Sequence, residues 1–229
     1  MTAEETQWLV ATLAAEKQNK GDVVKVSIWK GLTDIRVLTL AVVYFGTSAG
    51  LYSLNIWSPQ FIKSFGLSTM EIGLVNAVPS AMAAIAMVLW ARHSDKTKER
   101  TWHVVSACLL ASTGFVLAGW AQSLPLAIAA LIMANMGISS CKPPIWSIPS
   151  LFLSGPAAAA GLAAINSIGN LGGFAGPALI GWLKSNTGSF SIALYCVAGM
   201  LVVSALLTLS IEVRRRRDEA KLELTHSTK

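Results

Sequence analysis

Six apolar runs of about 20 residues, separated by short polar turns, occupy 34–57, 70–91, 103–121, 125–151, 156–183 and 190–211. A helix of that length spans the ~30 Å hydrocarbon core of a bilayer. The pattern therefore predicts an all-α, polytopic membrane protein of six transmembrane helices. The few polar positions inside the runs recur at helical spacing. In the first run Tyr44, Ser48, Tyr52 and Asn55 fall at i, i+4, i+8 and i+11, and in the fourth Asn135, Ser139, Lys142 and Trp146 fall at i, i+4, i+7 and i+11. The fifth run places Asn166 and Asn170 four apart, with Gly169/Gly173 and Gly172/Gly176 at the same interval and Pro177 after them. Hydrocarbon satisfies no amide or hydroxyl, so each stripe must face protein or water. It either lines a substrate cavity or joins neighbouring helices.

Several positions carry candidate chemistry within this frame. Lys142 is an ionisable group inside a span; it either attracts an anionic substrate or snorkels to the interface. Pro143 and Pro144 remove backbone donors beside it and bend the helix. Residues 91–103 read as a charged loop in which Asp95 can pair with Arg92 or Arg100 as a conformational latch, or in which the basic residues serve only as a topological anchor. Residues 1–33 read as a polar linker, without the apolar core of a signal peptide. Thr2 and Glu5 have the spacing of a capping box, so a short helix through Glu16 can set Trp8, Leu9 and Leu13 against a membrane or partner; a partly ordered linker is the other reading.

Composition supports the membrane reading: 53% of residues are hydrophobic and 13% charged, against roughly 25% charged in soluble domains. The net charge of +6 does not require nucleic acid, because the basic residues cluster beside spans. Fifteen of the 18 lie on the flanks shared with the two termini, including the basic tail 212–229, which places both termini in the cytoplasm. All 12 acidic residues fall in loops, tails or span ends, so the chain offers no deep carboxylate for a proton relay. Trp57, Trp90, Trp102, Trp120 and Trp182 read as interfacial anchors, and Cys108, Cys141 and Cys196 as small apolar fillers in separate spans. His93, His103 and His226 form no ligand set, so no metal is expected. With no phosphate loop, nucleophile elbow or HExxH, the sequence offers no catalytic residues and no cofactor site, and an enzyme is disfavoured.

Four segments carry a family resemblance: Trp57-Ser58-Pro59-Gln60, the stretch from Ser94-Asp95-Lys96 to Glu99-Arg100, Ile145 to Pro149, and above all INSIGNLGGFAGP followed by Gly181-Trp182. Over nearly its whole length the chain resembles the C-terminal half of a major facilitator superfamily transporter, and more narrowly the anion:cation symporters that take up organic acids. The resemblance implies helices seven to twelve of a twelve-helix fold, with Trp146 and Asn166 against the substrate and Asn170, Tyr44 and Ser48 beside them. Lys142 lies where the family has a small or apolar residue, and Ala91 replaces the leading glycine of the loop signature. The implied activity is transport of a small organic anion (a sugar acid, dicarboxylate or aromatic acid) across the inner membrane, by proton symport with alternating access. The coupling carboxylates and anion-binding arginine belong to the family's N-terminal half, so the expected partners are substrate, protons, the lipid bilayer, and either that six-helix half or a second copy. The alternative is a truncated or scaffold half-transporter without transport of its own.

Overall fold

A computed structural model describes residues 2–19 and 28–227. All its regular structure is helical: α1 (Ala3–Asn19), α2 (Ile28–Thr33), α3 (Ile35–Lys63), α4 (Thr69–Thr97), α5 (Thr101–Trp120), α6 (Leu124–Ser147), a 3₁₀ turn (Pro149–Leu151), α7 (Gly155–Asn170), α8 (Gly172–Thr187) and α9 (Ser191–Ser227). Among the described residues, five helices are long and apolar enough to cross a membrane: α3, α4, α5, α6 extended through the 3₁₀ turn, and the part of α9 up to Arg217. The remaining apolar run, 156–183, is divided at Leu171 into α7 and α8 of 16 residues each. Across the division the backbone tightens to i→i−3 bonds, Leu171 N–H to Ile168 and Phe174 N–H to Leu171. Pro177 lies one turn beyond; lacking an N–H, it leaves the Gly173 carbonyl without its i+4 donor.

Helix starts are set by capping chemistry. The Thr2–Glu5 box forms as its spacing predicts, Thr2 N–H donating to Glu5 Oε2 at 2.8 Å and Glu5 N–H to Thr2 Oγ1 at 3.3 Å. A second box, Ser68 with Glu71, starts α4. Asp34 caps α3 through the N–H of Arg36 at 2.8 Å. Three helices run beyond their apolar stretches. α3 continues through Pro59 to Lys63, α4 continues to Thr97 and leaves only Lys98 to Arg100 as the turn into α5, and α9 extends the sixth span through the basic tail.

The core has two layers. Toward the end of the bundle that holds the N-terminus of α3, Val37, Leu40, Val43, Val104, Ile145 and Ile165 pack together; toward the opposite end, Phe61, Ile62, Phe115, Ile138, Ile180 and Leu201 do so. α5 and α6 pack backbone to backbone because glycine faces backbone on both sides: a Cβ on Gly114 would strike Ala130 and Ala134, and one on Gly137 would strike Ala107 and Ala111. The glycine face of α7 and α8 meets α3 instead. Gly172 and Gly176 lie on the backbone of Phe45 and Ala49, Gly169 takes the ring of Tyr44, and Gly173 takes that of Tyr52.

Some apolar fillers and anchors have more specific partners than the sequence indicates. Trp57 Nε1 donates to the Pro177 carbonyl at 3.1 Å, and Trp90 Nε1 to that of His103 at 3.1 Å, so both are half-buried tertiary contacts. Trp102, Trp120 and Trp182 are exposed. Cys108 and Cys141, free and fully buried, bring their sulfurs within 3.4 Å across the α5–α6 seam. His93 Nδ1 lies 2.7 Å from His103 Nε2 across the α4–α5 turn. That is a pair only, and among the described residues no group of three metal-ligating side chains exists.

Candidate functional site

Tyr44 connects the two segments that the sequence marks most strongly. Its ring stands edge-on to Trp146, with centroids 5.0 Å apart, and rests on Gly169 of α7. Only a residue without a side chain at 169 lets the ring lie against that backbone. One turn earlier, Asn166 is exposed and accepts a hydrogen bond from Asn170 Nδ2 at 2.8 Å. This bond fixes both amides along the helix and leaves Asn166 Nδ2 as a donor. Three helices thus supply an aromatic corner and an amide pair: α3 through Tyr44, α6 through Trp146 and α7 through Asn166 and Asn170. Tyr44, Trp146 and Lys142 are half-buried, so each presents part of its side chain at the surface. Ser48 is buried inside the packing of α3, away from that surface.

The latch residues separate in the same way. Arg100 reaches Asp95 at 2.6 Å and Ser94 Oγ at 3.0 Å, while Ser94 Oγ donates to the Glu99 carbonyl at 2.9 Å, closing the α4–α5 turn. Glu99 caps α5 by accepting from Trp102 N–H at 3.1 Å. Arg92 is exposed and forms no ion pair among the described residues.

Two polar groupings were not legible as sites in the sequence. Near the termini, Glu212 is buried and accepts from Thr101 Oγ1 at 3.2 Å and from the guanidinium groups of Arg215 and Arg216 at 2.7–3.0 Å. With Arg36, which pairs with Asp34 at 3.0 Å and stacks on Phe152, it borders a cavity of about 260 Å³. At the opposite end Asn55, Ser58, Asn76, Ser80 and Asn135 gather around a pocket of about 20 Å³, enough for one water-sized group. The Asn55 and Asn135 stripes were visible; the α4 contribution, Asn76 and Ser80, has the same i, i+4 spacing and is the signal that could have found it.

Residues 7–177 match the Major Facilitator Superfamily model. The chain belongs to the major facilitator superfamily. It is therefore a multi-pass membrane protein of a transporter family rather than an enzyme. Two proteins of Agrobacterium vitis, each named "Putative tartrate transporter", are 61% and 62% identical over 209 residues, 91% of this chain and 46% and 48% of theirs. A "Quinolone resistance transporter" of Acinetobacter baumannii is 32% identical over 96% of this chain and 51% of its own length. A "Putative metabolite transport protein NicT" of Pseudomonas putida is 30% identical over 93% of this chain and 49% of its own. The chain spans about half the length of the curated relatives it matches. Membership bears out the family resemblance read from the INSIGNLGGFAGP segment and the all-helical membrane fold read from the apolar runs.

Proposed function

We propose that this chain forms the C-terminal six-helix half of a proton-coupled transporter for a small hydroxylated dicarboxylate such as tartrate, with Trp146 packing on the substrate and Asn166 donating to its hydroxyl or carboxylate oxygens. The observation that carries the reading is Tyr44, which touches Trp146 and Gly169 at once and so places the exposed Asn166–Asn170 pair next to an aromatic wall. An aromatic face with a few fixed polar groups suits a small polar solute that must be held and then released. The names of the two relatives above 60% identity support tartrate over an aromatic acid. Lys142, half-buried one turn from Trp146, supplies positive charge for an anion on that wall.

The charge distribution supports an inner-membrane protein with both termini cytoplasmic. Half-length coverage supports a second six-helix body, from an N-terminal half or from another copy, as the facing wall. Alternating access then moves the two bodies about the substrate. The test is uptake of radiolabelled tartrate into proteoliposomes by the intact transporter containing this chain, driven by an inward proton gradient. Asn166→Ala is expected to raise KM about tenfold, the cost of one hydrogen bond to a charged group, with unchanged protein level. Uptake insensitive to a protonophore would remove proton coupling; an unchanged KM would remove Asn166 from the site.

A further inference from the structure

Two spans meet through imidazole at the α4–α5 turn. His93 Nδ1 and His103 Nε2 face each other at 2.7 Å, with ring centroids 5.0 Å apart. Their surroundings differ. His93 is exposed, whereas His103 is buried and its other nitrogen, Nδ1, has no hydrogen-bond partner among the described residues. Trp90 holds the buried residue from α4: its ring stands edge-on to that of His103, with centroids 5.3 Å apart, and its Nε1 donates to the His103 carbonyl at 3.1 Å. A buried ring nitrogen without a partner is costly, and an apolar side chain would fill the same space at no such cost. What imidazole adds at 103 is a place for a proton, reached from water through His93.

The contact fixes how many protons the pair can hold. Two nitrogens at this distance share one proton, so in the neutral pair one ring donates and the other accepts. One added proton can sit on the outer nitrogen of the donating ring, and the shared proton stays in place. A second must go to a facing nitrogen. Two N–H groups then point at each other between two charged rings, and the contact is lost. The open turn thus binds one proton more than the closed turn, so acid favours opening.

The neighbouring charges leave this count unchanged. Glu99 and Arg100 act on His103 with opposite signs, and Arg100 is paired with Asp95. From α6, Cys141 turns its sulfur to the Val104 carbonyl at 3.9 Å; from α9, Glu212 accepts from Thr101 Oγ1 at 3.2 Å and is paired with Arg215 and Arg216. Arg92, Lys96 and Lys98 are exposed.

We propose that His93 and His103 form a proton-binding site that locks the α4–α5 turn, closed with at most one added proton and released by the second. In the proposed orientation His93 faces the compartment into which proton-coupled uptake delivers protons, so the turn reads the acidification that uptake produces. That consequence rests on the proposed function; the proton count does not.

The test is hydrogen exchange of residues 92–104 in the intact transporter containing this chain, without substrate, from about pH 8 to about pH 5, with rates corrected for the intrinsic pH dependence of exchange. Trp102 N–H and Val104 N–H, which donate to Glu99 Oε1 and the Arg100 carbonyl, report opening. Protection there is expected to fall on acidification with a slope approaching about tenfold per pH unit, the value for one extra proton bound on opening. His93→Gln takes no proton, yet its amide can accept from or donate to His103 Nε2, so the segment is expected to stay protected throughout. His103→Gln removes the other titrating ring and is expected to flatten the profile as well, which keeps the test decisive if one variant fails to fold. A loss of protection that persists in both variants would assign it to Glu99 or Asp95 and overturn the histidine site. Constant protection in the unmodified protein would overturn it too, and would leave the reading of tartrate uptake standing. Absence of tartrate uptake, with the exchange results as expected, would leave the histidine site standing.

Discussion

Glycine closes two seams in this bundle, to opposite ends. Along α5–α6, Gly114 and Gly137 bring regular helices into backbone contact, and the side chains near the seam are small and apolar, with the Cys108–Cys141 sulfur contact between them. Along α3–α7/α8, Gly169 and Gly173 receive tyrosine rings, the helix divides at Leu171, and polar side chains reach the surface within a turn. The first seam joins two spans into a fixed body. The second is mixed: Gly172 and Gly176 meet the backbone of Phe45 and Ala49, while Gly169 and Gly173 meet aromatic side chains on either side of the division at Leu171.

The largest effect is expected from breaking the first seam. Gly114→Val sets its side chain against the backbone of Ala130 and Ala134, which cannot yield without separating the helices. We expect a loss of about 3 kcal/mol or more, the upper range for overpacking, read as a fall in folded, monodisperse protein in detergent. Gly169→Ala acts on the second seam, where the obstacle is the Tyr44 side chain from its Cβ to its ring, so the whole side chain must change rotamer while the backbone of α3 can stay in place. Its expected cost is about 1 kcal/mol, with tartrate uptake falling more steeply than stability because the ring leaves Trp146. Equal losses of folded protein in the two variants would erase the distinction between the seams.

What the sequence could and could not announce follows the same division. Each span was legible because a 20-residue apolar run needs no partner to be recognised, and the tyrosine and asparagine stripes were legible because one helix contains their period. Contacts between helices depend on rotation and antiparallel register, which no single-helix pattern encodes. Hence Cys108 and Cys141, 33 residues apart, meet without a spacing that predicts it, and Asn76 of α4 joins Asn135 unannounced. The same limit explains the burial of Glu212 against Thr101 of α5, whereas its partners Arg215 and Arg216 stand at i+3 and i+4 on α9, a spacing one helix does contain. The division at Leu171 had a visible cause in the density of glycine and Pro177, but an apolar run of 28 residues reads equally well as one span.

The smallest expected stability change separates the two readings of the α4–α5 turn. Asp95 is 67% exposed and Arg100 is 19% exposed, so their 2.6 Å pair is partly screened by water and contributes under about 1 kcal/mol. Asp95→Asn should therefore leave the melting temperature within a few degrees, because Arg100 keeps its bond to Ser94 and Glu99 still caps α5. A latch predicts a different outcome for transport: weakening one end state shifts the balance between conformations, and the maximal rate of tartrate uptake changes several-fold with little change in folded protein. Arg92→Ala is the matched control, since Arg92 carries the same kind of charge in the same segment but does not pair with Asp95. If Asp95→Asn alters the rate and Arg92→Ala does not, the ion pair holds the latch. If both leave the rate unchanged while Arg92→Ala lowers correctly inserted protein, positive charge acts there as a topological anchor.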